Sequence, residues 1–244
     1  MSIRRLLLLT RRFQCARKFG VCFTGTSRFN LPGTIRICGR PFELSFPVES
    51  ETRLDFINLA LDDEYGLRSL PFEPRTILDV GANIGLFSVL ARHFFKSAII
   101  HAYEPNPRTF SYTAKNLEKI DAVGFQAGLG IRAGFAEMRD DQDSRKAQTK
   151  LQETGSIRID SLQQAIDRLN GSVDLMKIDC EGAEWDLFSD VESFRKVRLI
   201  RMEYHLTDGR TLDDLESAVI KLGFSLDRLE PNQGFGIAWL SRKS

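Results

Sequence analysis

The stretch KIDCEGAE, residues 177 to 184, gathers Asp179, Glu181 and Glu184 within six positions, directly after the lead-in VDLM. A second polar group, Arg201, Glu203 and His205, closes the run RLIRMEYH. If these two runs are neighbouring strands, a side-chain period of two puts Arg201, Glu203 and His205 on one side, with Lys177 and Asp179 within reach. Carboxylates and an imidazole at one rim suit the removal of a proton from a weakly acidic hydroxyl. His205 would be the base, oriented by Glu203 or Asp179. The same three residues, Asp179, Glu203 and His205, also suit a divalent cation, the mixed oxygen and imidazole donors favouring Mn, Fe or Zn over Mg. Plainer roles compete. Lys177 and Glu203 read equally as a structural charge pair, and Glu181 and Glu184 as complements to the dipole of a following helix. That helix role is preferred for Glu184. Asp179 and His205 are read as functional, because a structural charge pair does not require a histidine beside it. His93, His101 and Trp185 are read as packing or surface residues.

Residues 77 to 85, ILDVGANIG, describe a strand ending at Asp79 and a turn into a helix, bracketed by Gly81 and Gly85. Bare backbone and a helix N-terminus at such a turn receive polar groups of a nucleotide-like ligand. The dinucleotide pattern G-x-G-x-x-G fails, since Asn83 and Leu86 stand where glycines are required. The spacing acid-x-Gly-x-Gly-x-Gly is met by Asp79, Gly81 and Gly85, with Asn83 in the middle slot, a residue that enters left-handed backbone readily. Asp79 would repel a pyrophosphate but suits the ammonium of an amino acid, directly or through water. Glu104, nineteen positions beyond Gly85 in AYEPNP, falls at the offset of an acid that meets ribose hydroxyls. Together these favour S-adenosylmethionine over a nicotinamide cofactor.

These stretches resemble the FkbM family of S-adenosylmethionine-dependent methyltransferases. The resemblance rests on LDVGANIGLFS, YEPNP with Asn116 and Leu117, IDSL at 159 to 162, KIDCEGAEWDLF and RMEYH, in that order, with DEYG at 63 to 66 before them. It implies a Rossmann-like class I methyltransferase, acting on hydroxyl oxygens of sugars, glycolipids or secondary metabolites. Glu181 and, in DEYG, Tyr65 are the expected acceptor-binding residues. A nicotinamide-dependent oxidoreductase and a catalytically silent cofactor-binding scaffold are the alternatives.

The elements that must position these residues follow from the patterning. From Arg75 onward strand-like and helix-like segments alternate, which predicts a parallel sheet with helices on both faces. FSLDRLE and FGIAWLSR are joined only by PNQG, too short for a crossover, so they should pair antiparallel. The expected architecture is a mostly parallel seven-stranded sheet ending in an antiparallel hairpin, with EWDLFSDVESF as one helix. DDQDSRKAQTK reads as a mobile insertion. Residues 1–42 are expected as a basic extension, 43–74 as a preamble of short strands and a helix, and 75–244 as the methyltransferase domain.

At 244 residues, 42% hydrophobic and 27% charged, the chain can bury a full core. Its net charge of +1 is unevenly spread: Arg4, Arg5, Arg11, Arg12, Arg17, Lys18, Arg28, Arg36 and Arg40 all precede the first acid, Glu43. The remainder is net acidic, which argues against nucleic acid as a partner of the main domain. Cys15, Cys22, Cys38 and Cys180 form no C-x-x-C pair or zinc spacing, which points to a reducing cytoplasm. LLLLT is too short for a secretory leader. The N-terminus is Arg-rich and acid-free like a transit peptide, but poor in Ser. Arg4, Arg11 and Lys18 recur every seven residues with Ile3, Leu6, Leu7 and Phe13 on another face, which reads equally as a basic amphipathic helix making peripheral membrane contact through residues 1–20 and as a solvated, frayed terminus.

Overall fold

The structure, a computed structural model, describes residues 3–47, 51–137 and 155–243. In chain order it begins with α1 (Ile3–Lys18), β1 (Thr34–Ile37), β2 (Arg40–Glu43) and α2 (Glu51–Phe56), which continues as a π-helical turn over Ile57–Asp62. Then come β3 (Thr76–Val80), α3 (Leu86–Phe94), β4 (Ile99–Tyr103), α4 (Pro107–Glu118), β5 (Val123–Phe125), β6 (Gly128–Gly130) and β7 (Gly134–Ala136). The second half holds β8 (Ile157–Ser161), α5 (Leu162–Asp167), β9 (Val173–Ile178), α6 (Glu184–Leu187), α7 (Val191–Phe194) and β10 (Val197–His205). It closes with α8 (Leu212–Lys221), β11 (Phe224–Pro231) and β12 (Phe235–Arg242).

Alternation along the strands builds two cores on one sheet, because successive side chains point to opposite faces. Ile77, Leu175, Leu199 and Ile237 enter one apolar cluster; Leu78, Met176, Ile200 and Ala238 enter the other. The first cluster is covered by α3 and α4 and the second by α5 to α8, which leaves the central strands buried on both faces, as a parallel sheet requires. The order is β11-β12-β10-β9-β3-β4-β5. From β10 to β5 all neighbours are parallel, while β12 runs antiparallel between β10 and β11. The expected sheet and its terminal hairpin are therefore present. A small sheet of order β6-β8-β7 and the β1-β2 hairpin flank it.

Local chemistry sets the boundaries. Asn106 caps α4 ahead of Pro107, and the reciprocal pairs Ser161 with Gln164 and Thr211 with Asp214 start α5 and α8. The single helix expected over EWDLFSDVESF is two short ones instead. Asp190 leaves helical geometry and its carboxylate accepts from the Ser193 N–H at 3.2 Å, restarting the chain as α7. The stretch DDQDSRKAQTK, expected as a mobile insertion, lies outside the described residues.

The segment before Glu43 shares the first core: Cys15, Ala16, Phe19, Phe29, Ile35 and Phe42 pack in the same cluster as Phe87 and Leu90. Arg12 anchors α1 by pairing with Asp62, its Nε donating to Oδ1 at 2.8 Å. Directly after Asp62 the chain turns through Asp63 and Gly66, both with positive φ, and carries Glu64 and Tyr65 toward the carboxyl ends of the strands. Trp239 holds this turn: its indole N–H donates to the Glu64 carbonyl at 2.9 Å, and its ring lies where a Gly66 Cβ would be, 2.4 Å away. Gly66→Ala must therefore displace the ring while adopting a φ of +66°. A loss of ~2 kcal/mol or more in urea unfolding is expected, from overpacking and backbone strain together.

Candidate active site

Asp79 and Lys177 are register partners on adjacent parallel strands, β3 and β9, so their side chains lie side by side at the sheet's carboxyl end. The Lys177 ammonium, 4% exposed, is 3.6 Å from Asp79 Oδ1, 3.3 Å from Asp179 Oδ2 and 2.6 Å from the Gly81 carbonyl, to which it donates. Burial works against its charge, but Asp179 and Asp79 outweigh it and push the pKa up to about 12. Lys177 thus pairs with two aspartates and not with Glu203. Asp79 itself is fully buried, and Ser88 donates to its Oδ2 at 2.7 Å. The cation expected beside Asp79 is supplied by the protein's own lysine. Asp79 therefore acts on the turn above it from beneath, through Lys177 and the Gly81 carbonyl.

That turn leaves β3 with Gly81 at φ +71°, where a Cβ would fall 1.7 Å from the Asp179 carbonyl oxygen. Glycine is required there because the end of β9 crosses it: the Asp179 N–H donates to the Val80 carbonyl at 3.0 Å. Asn83 takes the left-handed conformation expected of it, at φ +50°, and Gly85 caps α3. The Asn83 N–H donates to Glu104 Oε2 and the Asn106 N–H to Oε1, both at 2.9 Å. Burial pushes Glu104 up to about 7 against those two donors. A carboxylate fixed by two backbone donors beside a helix N-terminus keeps lone pairs for a diol, so Gly81, Asn83, Gly85 and Glu104 fit the cofactor expected of them.

On the other side of Lys177, Asp179 is partly open and accepts from the Tyr65 hydroxyl at 3.4 Å. Glu64, next to Tyr65, is pushed up to about 7 by burial and then by the charges of Glu203 and Asp179. Its position in DEYG gave no sign of this, since the tertiary turn under Trp239 delivers it.

His205 ends β10 inside a ring of carboxylates. Its Nε2 is 3.3 Å from Glu203 and 3.4 Å from Glu181, its Nδ1 is 3.4 Å from Glu184, and its ring stacks on Phe235. Burial opposes the imidazolium, but pairing with Glu184 and Glu203 and the charge of Glu181 hold the pKa up to about 10. A pKa so raised favours the imidazolium at neutral pH, whereas a base has to be neutral. Glu184 opens α6, the helix start expected of it, and does more there than complement a dipole. It is fully buried, accepts from the Gly182 N–H at 2.8 Å and the His205 N–H at 2.7 Å, and so ties the end of β9 to the end of β10. Trp185 reinforces that tie by donating to the His205 carbonyl at 2.7 Å. Arg201 lies away from this rim, buried against Trp239 and donating to the Ile200 carbonyl at 3.0 Å. His93 accepts from the Cys38 N–H and His101 packs on Phe125, both structural as expected.

The metal alternative is not supported. Among the described residues no three His, Cys, Asp or Glu side chains are arranged to hold a metal ion. Asp179 is committed to Lys177 and Tyr65, while Glu203 and His205 pair with each other. A groove of about 650 Å³ lined by Phe72, Arg75, Asp174 and Arg198 lies at the amino ends of the strands and includes none of these residues.

Residues 79–226 match the methyltransferase FkbM domain. The chain belongs to the FkbM methyltransferase family. The likeness extends to "Methyltransferase sdnD" of Sordaria araneosa, 27% identical over 228 residues, 76% of this chain and 87% of that protein. "Methyltransferase 1" of Beauveria bassiana is 28% identical over 174 residues, 59% of this chain and 69% of that protein. Among solved structures, the precorrin-6y C5,15-methyltransferase of Geobacter metallireducens is similar at 14% identity and a TM-score of 0.47, covering 83% of this chain and 94% of that one. For an FkbM methyltransferase the cofactor is S-adenosylmethionine, and the nicotinamide alternative falls.

Glu104→Ala removes the acceptor beside the turn and is expected to weaken S-adenosylmethionine binding by ~1–3 kcal/mol in isothermal titration. The pH dependence of folding reports the His205 cluster. With a folded pKa raised from 6.5 to about 10, the contribution is whole below pH 6.5 and disappears as pH rises through 10. Thermal stability should therefore fall between those limits, and fall less steeply in His205→Gln.

Proposed function

We propose that this FkbM methyltransferase methylates a hydroxyl oxygen on a sugar, glycolipid or secondary metabolite. The observation that carries the reading is the buried Lys177 ammonium, which joins the cofactor turn, through Gly81, to Asp179 on the acceptor side. S-adenosylmethionine, when bound, supplies an electrophilic methyl group; Gly81, Asn83, Gly85 and Glu104 hold it. Glu64, Asp179, Glu181 and Glu203 offer acceptor oxygens, which suits a ligand whose hydroxyls donate. Tyr65 orients Asp179, and His205 donates from the opposite side.

A neutral hydroxyl is a poor nucleophile until its proton leaves, and a base is most effective with a pKa near the working pH. Glu64, at about 7, meets that condition, whereas His205 does not. In this reading Glu64 takes the hydroxyl proton while Asp179 holds the hydroxyl in line. The four thiols, free in the structure, suit a reducing cytoplasm, with peripheral membrane contact through residues 1–20.

Release of S-adenosylhomocysteine is to be measured against a panel of polyols, glycolipids and phenolic metabolites, with the site of methylation read by NMR. Glu64→Gln and Asp179→Asn are each expected to keep cofactor affinity within a few-fold and to lower transfer by roughly 10²–10⁴. The rate should rise with pH through about 7, and Glu64→Gln should lose that rise. A product methylated on nitrogen or carbon would refute the oxygen assignment. Full activity in Glu64→Gln would remove the base from Glu64.

A further inference from the structure

The first helix carries features that methyl transfer does not use. Leu6, Leu7, Leu8 and Phe13 stand in solvent, 52%, 64%, 40% and 47% exposed. The inward side of α1 is separate: Cys15 and Ala16 are buried, and Arg12 pairs with Asp62. At about 100° per residue, Leu6, Leu7 and Phe13 share the outward half of the helix with exposed Arg17 and Lys18 and with Arg11, which is exposed while its Nη2 donates to the Asp62 carbonyl at 3.3 Å. The positive surface continues past the helix end. Exposed Arg36 lies against Gly20, and its N–H donates to the Phe19 carbonyl at 2.7 Å. No acid occurs in this part of the chain before Glu43.

Two classes of occupant would cover such a face, and charge distinguishes them. A second copy of the same face would set Arg11, Arg17 and Lys18 against themselves, which like charges oppose. A bilayer with anionic headgroups meets both features at once. Apolar side chains enter the headgroup boundary while Arg and Lys reach phosphates from the same side, their stems lying along apolar surface. The helix lies on such a surface and does not cross it: its 16 residues fall short of the roughly 20 needed to span, and among the described residues no helix is long and apolar enough to cross a membrane.

We propose that α1 is a docking helix for anionic lipid bilayers, with Leu6, Leu7 and Phe13 inserting and Arg11, Arg17, Lys18 and Arg36 meeting headgroup phosphates. The proposal stands apart from the identity of the methyl acceptor, and its test needs no acceptor. The full-length chain is sedimented at low salt with vesicles of phosphatidylcholine alone or mixed with about one-third phosphatidylserine. Binding is expected to the mixed vesicles and to be several-fold weaker to the neutral ones, declining as salt is raised. Leu6→Ser/Leu7→Ser/Phe13→Ser and, separately, Arg17→Glu/Lys18→Glu should each lower the bound fraction by ~10-fold or more. Both should keep S-adenosylmethionine affinity unchanged, which verifies that they fold. Equal binding to both vesicle types, no binding at low salt, or full binding by the triple serine variant would each overturn the proposal. So would self-association in sedimentation velocity that the triple variant abolishes, which would assign the face to a second copy of this chain.

Discussion

Burying one ammonium at the centre of a parallel sheet is the constraint on which this site depends. Taking Lys177 out of water costs several kcal/mol, and the cost is offset only because two carboxylates and a carbonyl converge on it. Asp79 and Gly81 stand at the end of β3 while Lys177 and Asp179 stand at the end of β9, so the charge is satisfied when β3 and β9 are in register. Removing one partner of such a buried pair typically costs about 3–5 kcal/mol, more than a surface ion pair contributes. The lysine therefore specifies which strand ends meet. It also places the Gly81 turn and the Asp179–Tyr65 pair on opposite sides of a single charge.

A second electrostatic unit closes the rim one strand farther out. Glu184, without exposure of its own, accepts from the backbone at both 182 and 205 and so ties the loop after β9 to the tip of β10. With Glu181 and Glu203 it keeps His205 charged, and the imidazolium in turn makes three neighbouring carboxylates tolerable. The two units have opposite consequences for proton chemistry. Around Lys177 and His205 the neighbouring carboxylates hold the two cations up to about 12 and about 10. Glu64 is instead pushed up to about 7 by burial and by the charges of Glu203 and Asp179.

The parts of this arrangement legible from sequence are those that depend on neighbours along the chain. The turn at Asp79 to Gly85 was readable because left-handed backbone demands particular residues, and Gly81, Asn83 and Gly85 all adopt it. Glu104 was readable from its distance along one strand-helix-strand unit. Capping pairs such as Ser161 with Gln164 are local too. Misreadings arose where partners come from distant segments. Strand-face counting leaves Glu203 open as a partner of Lys177, yet β3 lies on its other side and presents Asp79 in register. Glu184 does start α6, but nothing within a few residues of it reveals its bond to the His205 N–H, 21 positions away.

The sequence by itself determined the strand and helix alternation, the two-faced burial of the sheet and the chemistry of the cofactor turn, since each follows from periodicity and backbone sterics over a few residues. Only the tertiary structure decided which charges are paired and, through that, which are free to move a proton. His205 and Glu64 make the difference plain: an imidazole expected to be basic is saturated by three carboxylates, and an unremarked glutamate is delivered into a field of like charge. A side chain's ionisation depends on burial and on charges within a few ångströms. Those neighbours are set by strand order and register, which residue spacing along one chain does not contain.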